Sequence, residues 1–149
     1  MSDLSAHVLE GLTAAAELQR SGDLEGARAA YRDLLNDPGT DDFDAVYVLH
    51  LLAVIVEDPQ SKLDLNIESL QRAEVAGERF PAAMKASLLA NVGYSHRALG
   101  DVAEARRWYL QAREAADQLP DDEYGRSIRD SAQQTLDALD REAEQSTAG

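Results

Sequence analysis

Residues 91–112 decide the fold: Asn91-Val92-Gly93-Tyr94-Ser95-His96-Arg97-Ala98-Leu99-Gly100-Asp101-Val102-Ala103-Glu104-Ala105-Arg106-Arg107-Trp108-Tyr109-Leu110-Gln111-Ala112. Ala, Leu, Arg and Glu populate both halves, and all four are strong helix formers. Leu99-Gly100 interrupts them with the residue that most often ends a helix. Asp101 follows as an N-cap, and Glu104 three residues later completes the pattern of a capping box. The stretch therefore reads as one helix, a tight turn and a second helix.

The same signature occurs earlier in the chain. Gly22, Asp23, Leu24, Ala27, Arg28 and Tyr31 stand 78 residues before Gly100, Asp101, Val102, Ala105, Arg106 and Tyr109, and 78 is twice 39. One further helix pair fits between them, over Asp42 to Glu57 and Ser61 to Glu78, with Ser69, Ala73 and Ala76 as its small residues. Breakers at Ser21-Gly22, Pro38-Gly39, Asp58-Pro59, Gly77, Leu99-Gly100 and Leu119-Pro120 divide the chain into regular pieces. Thr40, Pro81 and Asp121 or Asp122 precede the third, fifth and seventh of these. Period-two runs of Val, Ile and Thr are missing, so no sheet is expected. The prediction is an all-α chain of seven helices, each roughly 13 to 22 residues long, with short connections. A fixed period of this kind marks a helical solenoid rather than a closed bundle. The domain is expected to span 1–144, with a polar, frayed tail at 145–149.

Leu18-x-x-x-Gly22-Asp23-Leu24-x-x-Ala27-x-x-x-Tyr31 and the 91–112 stretch resemble tetratricopeptide repeats (TPR). The resemblance covers residues 8–119, as repeats 8–41, 42–80 and 81–119, with a capping helix at 121–143. In physical terms, Ala27, Gly93 and Ala105 let the helices of a pair approach closely. Tyr31 and Tyr109 then fill the space to the neighbouring pair. The resemblance implies a concave groove that binds a peptide or a partner protein. Carried over residue by residue, it places Leu9, Leu12, Ala16 and Gln19 of the first helix in that groove. Tyr47, His50, Val54 and Glu57 of the third helix join them, as do Ser87, Ala90, Asn91, Tyr94 and Arg97 of the fifth. Asn91 matches an asparagine that in many such repeats holds a peptide backbone. Repeats that clamp a C-terminal carboxylate carry Lys and Asn where this chain has Leu12, Ala16, Ala90 and Tyr94, so no such clamp is expected.

Composition narrows the partner class. The chain has 149 residues, 14 Lys+Arg against 28 Asp+Glu, a net charge of -14 and no Cys. That balance argues against nucleic acid and anionic membrane surfaces, which need clustered cations. It favours a basic partner segment instead. Asp41, Asp42, Asp44, Asp121, Asp122 and Glu123 crowd helix starts, where they complement the helix dipole. MSDLSAHVLE has no basic region before an apolar core, so no signal peptide is expected, and a cytoplasmic location follows. Ala45 to Val56, the longest apolar stretch, is too short to span a bilayer. Twelve Arg to two Lys, with abundant Ala, points to a GC-rich bacterial genome.

No nucleotide-binding, hydrolase or metalloprotease motif is present, and no cofactor or metal is expected. His7 reads as a solvated residue of the first turn and His96 as packing within its helix pair. Glu57 lies seven residues after His50, about two turns along one face of the third helix, which permits a pairing of imidazole and carboxylate. The segment Ala45–Val56 is apolar on nearly all sides, as for a central helix with neighbours all round. The function expected is non-catalytic protein or peptide binding. The alternatives are a homodimer through the apolar third helix, or a small enzyme or small-molecule binder around His50, Tyr47 and Tyr94.

Overall fold

Helix boundaries fall where local chemistry dictates in a computed structural model that describes residues 3–148. Seven α-helices occur among the described residues: α1 Ala6–Arg20, α2 Leu24–Asn36, α3 Asp42–Ile55, α4 Pro59–Ala76, α5 Ala82–Ala98, α6 Val102–Asp117 and α7 Glu123–Ala148. A single 3-10 turn, Gly77–Arg79, follows α4, and no strand is found among the described residues. Asp23, Asp41, Asp58 and Asp101 cap α2, α3, α4 and α6, each accepting from the N–H three residues on, at 2.9 to 3.1 Å. Asp122 does the same for Gly125 at the start of α7, at 2.8 Å. Gly22 and Gly100 end α1 and α5 with φ of 89° and 82°, a region closed to most L-residues.

Some local details depart from expectation. Asp41 rather than Thr40 caps α3, while the Thr40 hydroxyl donates to Leu34 O at 2.7 Å and closes the end of α2. The Asp101/Glu104 pair caps in one direction only. Asp101 N donates to His96 O, and the Glu104 carboxylate turns to Arg107 at 2.9 Å. The helix of the last segment continues to Ala148, across the region where fraying is expected.

Met1–Arg79 and Phe80–Gly149 form two compact units. In the first, α1 packs on α2, α2 on α3 and α3 on α4; in the second, α5 packs on α6 and α6 on α7. This consecutive pairing is the arrangement of a short helical solenoid. The first core joins Val8 and Ala15 of α1, Ala27 and Tyr31 of α2, and Val48 and Leu52 of α3. In the second, Ala105 and Tyr109 of α6 meet Leu136 and Leu139 of α7. Gly93 is the close-approach point of α5 and α6. A Cβ placed there would stand 2.7 Å from the Tyr109 ring and 3.3 Å from Ala105 O. Ser69 plays a comparable part in the first unit, where it is fully buried and donates to Val46 O at 3.1 Å.

Helix α3 is apolar all round because α2 and α4 cover it. It buries Phe43, Val46, Val48, Leu49, Leu52 and Ile55, leaving Leu51 and Val54 as its exposed large apolar side chains. Val and Ile are indifferent helix formers, at about 0.5 kcal/mol below Ala. Burying each contributes about 1.5–3 kcal/mol, so packing decides the conformation. Its one buried charge, Asp44, accepts hydrogen bonds from both the backbone N–H and the hydroxyl of Ser5. That contact ties the start of α1 to the start of α3. Asp42 adds an ion pair with Arg72 of α4 at 2.8 Å, and Asp41 another with Arg79, whose guanidinium lies over the Phe43 ring.

Candidate functional site

In the second unit, α5, α6 and α7 enclose a cleft of about 300 Å³. Ser87, Ala90 and Asn91 form its α5 wall, all three predicted groove positions. Tyr109 and Ala112 contribute from α6, and Tyr124, Ser127 and Ser131 from α7. The cleft exists because small residues stand where the helices converge. Ala86, Ala90, Ala112 and Ala132 leave room that Leu would fill. Tyr124, Ser127 and Ser131 recur at helical spacing along one face of α7, so their hydroxyl-bearing side chains line up beside Asn91. Burial pushes the Tyr109 phenol pKa up, with nearby Arg97 opposing the shift.

Two predicted residues flank this cleft on α5. Tyr94, one turn beyond Asn91, is 62% exposed. Arg97 extends to α7, where its guanidinium forms an ion pair with Glu142. Arg97 thus braces the terminal helix.

The predicted residues of the first unit are placed separately. Leu12 is half-buried against the core around Tyr31 and Leu52. Gln19 is exposed, and its Oε1 accepts from the Tyr31 hydroxyl at 3.5 Å. The Tyr47 ring tilts against Phe43 at 5.4 Å, and burial pushes its phenol pKa up. His50 is half-buried, and burial holds its imidazole pKa below the ordinary value. Val54 is 57% exposed. Glu57 falls outside the helix that carries His50: α3 ends at Ile55, and Val56 turns extended with ψ of 143°. A His50–Glu57 pairing along one helical face therefore does not exist. Glu57 instead lines a different cleft with residues of α2 and α4.

The remaining histidines have structural settings. His7 is half-buried with Nε2 3.3 Å from the Thr40 hydroxyl, rather than solvated. His96 stacks nearly parallel to Trp108 at 6.5 Å, inside the α5–α6 pair as expected. Among the described residues, no three His, Cys, Asp or Glu side chains converge as metal ligands, and no helix is long and apolar enough to cross a membrane.

The α7 face was not anticipated from the chain. Its signal is present as Tyr124-x-x-Ser127-x-x-x-Ser131, but any surface helix can carry such a pattern. Chemically, the α5–α7 cleft offers hydroxyl, amide and methyl groups, with no carboxylate, imidazole or amine in its lining. A serine needs an adjacent base to act as a nucleophile. What these groups do well is accept and donate hydrogen bonds beside aromatic surface. No protein-family model matches the chain, and no curated protein does.

Proposed function

We propose that this chain is a TPR-like helical-repeat module that binds a protein or peptide segment and performs no chemistry on it. One observation carries the reading: Asn91 lies in a hydroxyl-lined cleft beside Tyr124, with exposed Tyr94 one turn further along α5. Exposed tyrosines around a polar cleft have the composition of an interface hot spot, where rigid aromatic area is buried at low entropic cost. The net charge of -14 favours a partner segment with Lys or Arg.

The test places a photo-crosslinking amino acid at Tyr124 and identifies what is captured in cells. A heterologous protein, with the cross-link mapped to one short segment, supports the proposal. Tyr94→Ala and Tyr124→Ala should then each weaken binding to that segment by about 1–3 kcal/mol. Their melting temperatures should stay near wild type, because both side chains are more than half exposed. Capture of only a second copy of the chain would replace this reading with self-association.

A further inference from the structure

A second cleft, of about 420 Å³, lies wholly within the first unit between α2, the α3–α4 connection and α4. Leu52, Val56 and Leu65 give it an apolar floor, Arg28 and Arg32 a cationic wall, and Glu57, Asp58 and Asp64 an anionic one. Three of these charged groups already have hydrogen-bond partners. Arg28 donates to Ile55 O at 3.2 Å, tying down the end of α3. Asp58 caps α4, accepting from the backbone and hydroxyl of Ser61 at 2.9 and 2.8 Å. The other acid, Asp64, accepts from Gln60 at 3.0 Å. Arg32 and Glu57 differ: among the described residues neither side chain has a hydrogen-bonded or ion-paired partner.

We infer that this cleft binds a free amino acid with an aliphatic side chain. The Arg32 guanidinium would take the carboxylate, the Glu57 carboxylate the ammonium, and Leu52, Val56 and Leu65 the side chain. Charge complementarity selects this occupant. An anion alone satisfies Arg32 but meets Glu57, Asp58 and Asp64, and a cation alone meets Arg28 and Arg32. A zwitterion with an apolar body answers both walls and the floor. The volume falls in the range of small-ligand sites, whose character is apolar surface with a few placed polar groups. Planar, forked guanidinium geometry suits a carboxylate in particular. The site uses different elements from the α5–α7 cleft, so either proposal stands without the other.

The test is an NMR titration of the full chain with L-leucine, following the methyl groups of Leu52, Val56 and Leu65. Saturable shifts confined to these and adjacent residues are expected. N-acetyl-leucine, which keeps only the carboxylate, and leucinamide, which keeps only the ammonium, should each bind about three- to fivefold more weakly for the lost ion pair. Arg32→Gln should abolish the preference for leucine over leucinamide, and Glu57→Gln the preference over N-acetyl-leucine. Both positions are exposed, so the variants keep the fold. Absence of saturable shifts at tens of millimolar leucine would overturn the inference. Equal binding of N-acetyl-leucine would overturn it too, by showing a site for peptide C-termini.

Discussion

Gly93 and Tyr109 show how single residues set the spacing of a helix pair. With 2.7 Å available between a Gly93 Cβ and the Tyr109 ring, Gly93→Ala must displace the ring or separate α5 from α6. Alanine returns about 1 kcal/mol of helix propensity, and overpacking costs about 1–3 kcal/mol. The net effect expected in a thermal or urea melt is destabilisation of up to about 2 kcal/mol. Tyr109→Ala, which empties the space instead, should cost about 3 kcal/mol. His50 yields a prediction of a different kind. Burial lowers its pKa, so the folded protein favours the neutral ring and the unfolded chain binds the proton more readily. Its contribution to stability is full above the ordinary value near 6.5 and is lost as pH falls below it. Melting temperature should therefore drop on acidification through that range, and His50→Gln should flatten the profile. A wild-type profile already flat between pH 7 and 5 would contradict it. At this scale Ala27, Tyr31, Ala105 and Tyr109 were legible in the chain, because they recur at one fixed offset. The Ser5–Asp44 and His7–Thr40 contacts were not, since each joins residues more than thirty positions apart with no periodic signal.

Elements were readable to the extent that their ends carry punctuation. Asp23, Asp101, Gly22 and Gly100 cap or terminate helices as expected, because a cap is decided by three or four consecutive residues. Glu57 lies outside α3 for a local reason. Pro59 begins α4 and Asp58 caps it, so the extended residues before them must come out of the end of α3. The cleft on the second unit was half legible: the α5 positions followed from the resemblance to tetratricopeptide repeats, whereas α7 lies beyond the stretch that the resemblance covers and its facing side depends on tertiary packing. Arg97 illustrates the consequence. As a predicted groove residue its loss would affect binding alone, but its pairing with Glu142 makes it a brace between α5 and α7. Both side chains are more than a third exposed, so the pair is worth at most about 1 kcal/mol. Arg97→Ala and Glu142→Ala should lower the melting temperature alike, and the double variant by less than their sum. If Arg97→Ala weakens partner binding while Glu142→Ala leaves it intact, Arg97 contacts the partner directly.

Across the whole molecule, two electrostatic effects oppose each other in salt. Among the described residues, seven arginines form ion pairs with acids, at side-chain exposures from 22% to 84%. Salt weakens each of these, but exposed pairs are individually worth about 0–1 kcal/mol, and many contribute nothing measurable. Against them stands a net charge of -14, spread unevenly: 16 acids and 6 bases to Arg79, then 12 acids and 8 bases beyond it. Like charge concentrated on the first unit opposes its compact state, and salt relieves that repulsion. At low salt the Debye length is about 30 Å, so the repulsion of each excess acid is summed over many others, whereas a surface ion pair gains from one partner. Repulsion should therefore prevail. Raising NaCl from low millimolar to a few hundred millimolar is expected to increase the melting temperature by about 2–4 °C, corresponding to about 1 kcal/mol. Hydrogen exchange should locate the larger share of the gain in α1–α4, where the charge excess is greater. A melting temperature that falls with salt would show instead that the arginine pairs outweigh the acidic excess.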